Sequence, residues 1–434
     1  MMKHSVILWV AAGVMLLGVV GAVLGSEQQA PPGRGAATLE ALVAEALERS
    51  AELRALEERA RAAEAMVRPA GALPDPMAMV GLSNIPVGSG AQLDQDMMSS
   101  VMLSVSQEVP PGSRRRLMRE AQGDEAAMLG AEVEDKRNDI IRRVKRAYID
   151  VQYREAALSV AERNREAAKE MLATAEGLYA TGKAMQQDVF QAQVRVSQMV
   201  DMVLMQRRER EAATTRLNRL LYRPPDQPLP GLPALAMRPL GADPEALRAR
   251  ALEANPGLRA MAIRAERAQK EEGVAASGIE PSLAFSFSYM IRQQIEMNPD
   301  SGDDMWSATV GMNLPWFRRR DTVDREVEAA QARRRAAESD AEAMRNELPA
   351  MVDEMLIDIG RAEEQLALLE TGLLPQAEGA YAASRASYAT GRGDLLDVLD
   401  NQMNLYNLEV QRAMLLAEWE RSLAEVEYVV GGLE

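Results

Sequence analysis

The chain has 434 residues, with 50 basic against 65 acidic side chains and a net charge of −15. That balance argues against a phosphate-binding surface, so nucleic acid is not an expected partner. Cysteine is absent and the one histidine, His4, lies in a segment expected to be removed, which excludes Cys/His zinc sites, histidine-based nucleophilic machinery, disulfides and a lipidated N-terminal cysteine.

Residues 1–25 combine a basic start with an uncharged run from Ser5 to Gly25 and read as a secretory signal peptide. The run is long enough to cross a bilayer, so a retained anchor is the competing reading. Residues 26–38 are rich in Pro, Gly and Gln and read as a flexible leader. A helix is expected from Leu39 to about Val67, ending before Pro76. Two extended segments follow, at about 77–85 and 98–109. No proline interrupts the chain from about Arg116 to Tyr179, where Ile140, Val144, Ala147, Val151 and Leu158 keep a heptad-like spacing. A rod of this length reaches roughly 95 Å at about 1.5 Å per residue. It turns near 180–184 and returns as a helix to about 221, an αα-hairpin. A Pro-rich linker spans 223–239.

The order then repeats over 240–434, so the chain reads as two copies of one unit, 39–222 and 240–434. Over 46–60 against 251–265, eight of fifteen positions are identical; over 179–193 against 388–402, seven of fifteen are, built around Tyr-Ala-Thr-Gly. The second copy predicts a helix from Pro244 to about Ala276, strands at about 282–291 and 306–314, and a long helical hairpin turning near 389–393. Pro349, Gly360 and Pro375 are expected kinks or breaks in it.

The strands carry the clearest local signal. Leu283, Phe285, Phe287, Tyr289 and Ile291 alternate with Ser282, Ala284, Ser286 and Ser288, and Trp306 to Leu314 alternates likewise. These segments are about ten residues long, the length of a tilted membrane-crossing strand. Phe285, Phe287, Tyr289, Trp306, Trp316 and Phe317 crowd this region as an interfacial girdle would. Two hairpins on a soluble core are the plainer alternative. Four strands cannot close a barrel, and an open edge cannot face lipid, so a membrane reading requires oligomerisation. The arginines at 114–116 and 318–320, after each second strand, suit either lipid phosphates or plain solvation.

In the order of these elements, in Leu73-Pro74-Asp75-Pro76 before the first strand, and in the repeated Tyr-x-x-Gly…Asp-Val turns, the chain resembles the TolC-type outer-membrane efflux channels. The resemblance implies an α+β membrane protein: a homotrimer sharing one twelve-stranded outer-membrane β-barrel, four strands per protomer, continued by a long α-helical barrel across the periplasm. It implies no enzyme activity and no cofactor. The implied partners are outer-membrane lipid, a periplasmic adaptor docking at the turns, and an inner-membrane pump, most simply of the resistance-nodulation-division type. The segment from Met79 to Asn84 adds a resemblance to the CusC- and CzcC-like heavy-metal branch.

By the same resemblance, Asp397 and Asp400 are expected to narrow the periplasmic aperture, with Tyr388 at the latch tyrosine's place. Gly393 falls where a latch arginine is expected. The two aspartates are three apart and share a helix face. A helix cap at Asp394 with solvated aspartates beyond it is the plainer account. The adaptor-docking turns are Tyr179, Thr181 and Gly182 and their repeats Tyr388, Thr390 and Gly391; an ordinary glycine C-cap needs no partner. No metal site is assigned. The 27 methionines suit soft ions as thioether ligands but equally serve as flexible fillers. A signal-anchored periplasmic coiled-coil scaffold without a pore is the alternative from another class.

Overall fold

The computed structural model describes residues 38–87, 93, 96, 98–237, 241, 243–293, 302–315 and 320–432. The expected signal peptide, all of the leader but Thr38, and Trp316, Phe317, Arg318 and Arg319 lie outside the described residues.

Each copy opens with two short helices where the sequence suggested one. α1 (Leu39–Arg49) gives way to α2 (Ala51–Ala70) at Ser50, whose hydroxyl accepts from the Leu53 amide at 3.1 Å. In the second copy α5 (Pro244–Ala254) gives way to α6 (Pro256–Ala276) at Asn255, whose carboxamide oxygen accepts from Leu258 at 2.9 Å. A cap residue in extended conformation satisfies an orphan amide of the next helix and so makes the bend. The Asn255 amide nitrogen also donates to the Val429 carbonyl at 2.9 Å, tying this corner to the last helix.

α3 (Gly112–Ala180) is one helix of 69 residues, and α4 (Gln186–Leu220) returns along it. In the second copy, α7 (Arg320–Leu368) runs through Pro349 and Gly360 without a break. The expected interruption falls instead at a π-helical segment, Leu369–Leu373, followed by α8 (Leu374–Ala389) and the returning α9 (Leu395–Val429). Pro375 sits in the first turn of α8, where its missing N–H is harmless; the ladder is disturbed just ahead of it.

The duplication is written in the core. Leu42, Ala46 and Leu53 pack on Val144 and Val151 of α3 and Leu217 of α4. Leu247, Ala251 and Leu258 pack on Leu348 and Val352 of α7 and Val426 of α9. Each such buried leucine contributes about 1.5–3 kcal/mol of transfer free energy. The two copies are joined where α9 lies along α3, by Arg163 to Glu409 (3.1 Å), Asp150 to Arg421 (2.5 Å), Arg146 to Glu425 (2.7 Å) and Lys145 to Glu427.

On this seam the Tyr428 hydroxyl donates to Asp135 at 3.1 Å, with the Arg142 guanidinium 4.6 Å above its ring. Burial holds the Asp135 carboxyl above the usual carboxylate range and, with the Asp135 charge, pushes the Tyr428 phenol up to about 12. A carboxyl raised on folding supports the fold most when protonated and loses that support as pH rises through its folded value. Asp135→Asn, which keeps an oxygen for Tyr428, is therefore expected to raise the melting temperature by about 1–2 °C at pH 7. The gain should vanish at a pH where Asp135 is protonated anyway; thermal melts across pH check this.

The four strands form one antiparallel sheet in sequence order: β1 (Met77–Ser83), β2 (Ser100–Val109), β3 (Leu283–Arg292) and β4 (Met305–Met312). Their register unites Val80, Leu103, Tyr289 and Trp306 on one face, and Met79, Ser104, Ser288 and Ser307 on the other. The apolar face is the more exposed: Val80 is 73 % exposed, Trp306 68 % and Phe287 51 %, while Ser286 and Ser288 are half-buried. Phe287 and Trp306 stack at 6.2 Å, and the hydroxyls of Ser286 and Thr309 pair at 2.7 Å across the other face. A sheet folded in water would bury the phenylalanines and wet the serines. β1 and β4 each pair on one side only, leaving two free edges. Among the described residues no helix is long and apolar enough to cross a membrane.

Candidate functional site

The sheet and the hairpin turns stand at opposite ends of α3, roughly 100 Å apart at about 1.5 Å per residue. At the sheet end, the arginines at 114–116 lie within the first turns of α3 and not in a loop. Arg115 donates to the Gly71 carbonyl at 3.1 Å and Arg116 pairs with Glu120 at 3.1 Å.

At the far end both Tyr-Ala-Thr-Gly segments close their helices in one way. Gly182 (φ 74°) donates to the Tyr179 carbonyl and Lys183 to Leu178, each at 2.9 Å. Gly391 (φ 75°) donates to Tyr388 at 2.9 Å and Arg392 to Ser387 at 3.1 Å. This paired bonding is a Schellman motif, whose left-handed position tolerates glycine best. Thr181 and Thr390 each donate a hydroxyl to a carbonyl three residues back, at 3.0 and 2.9 Å. Gly391→Ala is expected to cost roughly 1 kcal/mol, the penalty of a left-handed non-glycine residue, and so to lower the melting temperature in a thermal melt.

The two tyrosines, alike in sequence, part company in space. Tyr179 is exposed, whereas Tyr388 is buried with Met171, Ala175, Leu395, Val398 and Leu399. Burial, then the nearby Asp188 and Asp394, pushes the Tyr388 phenol up to about 12. Its hydroxyl is buried without a hydrogen-bond partner, so in this structure it forms no latch bond. Gly393 cannot host the arginine of a latch: a Cβ there would stand 2.8 Å from the Ser387 hydroxyl and 3.0 Å from the Tyr388 amide.

Asp394 caps α9, accepting from the Leu396 amide at 3.0 Å. Asp397 and Asp400 lie beyond the cap on the exposed side of α9, opposite the buried Leu395, Val398 and Leu399. Asp400 has a neighbour that sequence reasoning missed. Arg195 of α4, largely buried, brings a guanidinium nitrogen to 4.0 Å from its carboxylate. Arg195 lines a cavity of about 420 Å³ between α4 and α9, with Phe190, Val194, Leu396 and Leu399. The described geometry thus gathers Tyr388, Thr390, Gly391, Asp397 and Asp400 at one tip with Tyr179, Thr181 and Gly182. Phe285, Phe287, Tyr289 and Trp306 gather at the sheet.

The sequence profile described as outer membrane efflux protein matches residues 42–221 and 247–432, most of the chain in two runs. The chain belongs to the outer membrane efflux protein family. Among solved structures the fold is similar to the outer-membrane channel OprN, at 21 % identity over 91 % of this chain and 90 % of that one, with a TM-score of 0.77. CusC is similar at 16 % identity over 91 % and 92 % (TM-score 0.76), and CmeC of Campylobacter jejuni at 15 % over 91 % and 86 % (TM-score 0.77). No curated protein matches the chain. The protein is an outer-membrane protein with its helical part in the periplasm, and its fold is that of the trimeric channels in which a β-barrel continues into a helical barrel.

Proposed function

We propose that this protein is the outer-membrane exit duct of a tripartite efflux system, passing small molecules or heavy-metal ions without a catalytic step. The observation that supports this best is the sheet's inverted polarity together with its two unpaired edges. Three copies pair β4 of one with β1 of the next, and an even strand number keeps every pair antiparallel. The exposed turns at Tyr179, Thr181, Gly182, Thr390 and Gly391 offer compact helical ends to a periplasmic adaptor, with Tyr388 packed beneath them. An inner-membrane pump, of resistance-nodulation-division type in this reading, supplies the energy. Asp397 and Asp400 face the narrow end of the duct. Phe285, Phe287, Tyr289 and Trp306 meet lipid, and Trp316 and Phe317 extend that girdle in sequence. A pore-less scaffold has no use for the exposed apolar face.

Protein extracted in detergent is expected to run as a heat-dissociable trimer and to conduct ions in planar bilayers. A chain that stays monomeric and monodisperse in plain buffer overturns this reading.

A further inference from the structure

The sheet sorts its methionines by face. Met77, Met79, Met102, Met290 and Met305 all lie on the serine face, and Met312 alone lies on the apolar face, as the partner of Leu283. The other apolar-face positions are filled by Val, Leu, Ile, Phe, Ala, Tyr, Trp and one Gln. A thioether used as a filler belongs in a packed core, and one used as a hydrophobe belongs toward lipid. Here methionine sits where its neighbours are serine, threonine, glycine and alanine.

Register then sharpens the placement. Met102 pairs with Met290 and Met290 with Met305, so three adjacent strands each put a methionine at one level of the serine face. Opposed residues on neighbouring strands hold their Cβ atoms about 4.5–5.5 Å apart, a gap that three-bond thioether side chains can span. Gly81 completes the level on β1 and adds no bulk. Charge on this face of the strands is confined to its ends, at Arg292 and Glu108. The lining between offers hydroxyls and thioethers and no carboxylate, imidazole or thiolate. Thioethers select soft d10 monovalent cations over hard ones.

We propose that the tier of Met102, Met290 and Met305 is a binding site for a soft monovalent metal ion of the Cu(I) or Ag(I) class, inside the mouth of the pore. The proposal rests on the duct reading, since that reading turns the serine face toward the lumen. It names one class of cargo that the duct takes.

The test uses the assembled protein in detergent, in chloride-free nitrate buffer, with silver nitrate as the probe. Wild-type trimer is expected to bind Ag(I) and to ignore Na+ in calorimetric titration. The variant Met102→Leu/Met290→Leu/Met305→Leu nearly conserves volume and removes all three sulfurs of the tier. Its silver affinity is expected to fall by at least roughly tenfold, the low end of what losing even an outer-shell partner costs a metal site. In planar bilayers, silver should lower wild-type conductance and leave that of the variant unchanged. If the triple variant does not assemble, Met290→Leu, central in the tier, is measured against Met312→Leu on the lipid face, and only the former should weaken silver binding. Equal silver binding by wild type and variant overturns the site, as does a tier that acts only as an apolar constriction, which leucine would preserve and silver would not affect. A wild-type protein that forms no conducting trimer overturns the duct reading instead.

Discussion

Replacing Asp397 and Asp400 together by alanine is expected to raise single-channel conductance and to weaken cation preference. Both side chains project from the exposed side of α9 just beyond its cap. On the proposed duct reading, three copies around one axis would bring six carboxylates to the narrow end, a ring that would concentrate cations and narrow the passage with its counterions. The change should be a few-fold near 0.1 M salt and should fade toward 1 M, because the screening length shrinks from about 10 to about 3 Å. Arg195 supplies a second arm, since its guanidinium stands 4.0 Å from Asp400. Arg195→Gln alone should strengthen cation preference by freeing that carboxylate. In an Asp400→Ala background the same change should do much less, because its partner is gone. Reversal potentials in a salt gradient read the four variants against wild type. Unchanged conductance and selectivity in the double aspartate variant would remove the aperture assignment; equal Arg195 effects in both backgrounds would remove the pair and leave the aperture standing.

How much of this was legible in the sequence depended on whether the deciding interaction was local. The strands were, because alternation of Phe, Tyr and Ile with Ser fixes a face without any partner. The duplication was, through Leu53-Arg54-Ala55 and its repeat Leu258-Arg259-Ala260. The bends at Ser50 and Asn255 could have been read as well: each is a cap-forming residue at matching positions, and Pro256 is a first-turn proline. Long helical periodicity on either side hid them. Pro349 illustrates the reverse, since proline often ends a helix, yet α7 continues past it with Leu348 and Val352 packed in the core on either side. Nothing in the repeated Tyr-Ala-Thr-Gly could separate Tyr179 from Tyr388. Burial of the second depends on Met171 and Ala175 of α3, more than two hundred residues earlier in the chain. Arg195 was invisible for the same reason: it meets Asp400 only because α4 and α9 converge at the tip.

Phe287→Arg and Ser288→Arg, one residue apart on β3, are expected to behave as opposites. Phe287 lies on the exposed apolar face, in register with Val105 and Ala308 and stacked on Trp306. On the proposed duct reading an arginine there would enter hydrocarbon near the middle of the strand, at about 2–4 kcal/mol per protomer, and three protomers would suffer it together. Trimer yield in detergent extracts should therefore collapse. Ser288 faces the other way, between Ser104 and Ser307. An arginine there points into water, so trimers should form at wild-type yield, and a positive ring in the lumen should shift the reversal potential toward anion preference. The contrast depends only on the period of two that turns successive side chains to opposite faces. A soluble hairpin packed on a core gives a different pattern, in which Phe287→Arg lowers the melting temperature and neither variant alters an oligomer or a current. Assembly of the Phe287→Arg protein at wild-type yield would show that this face does not meet lipid.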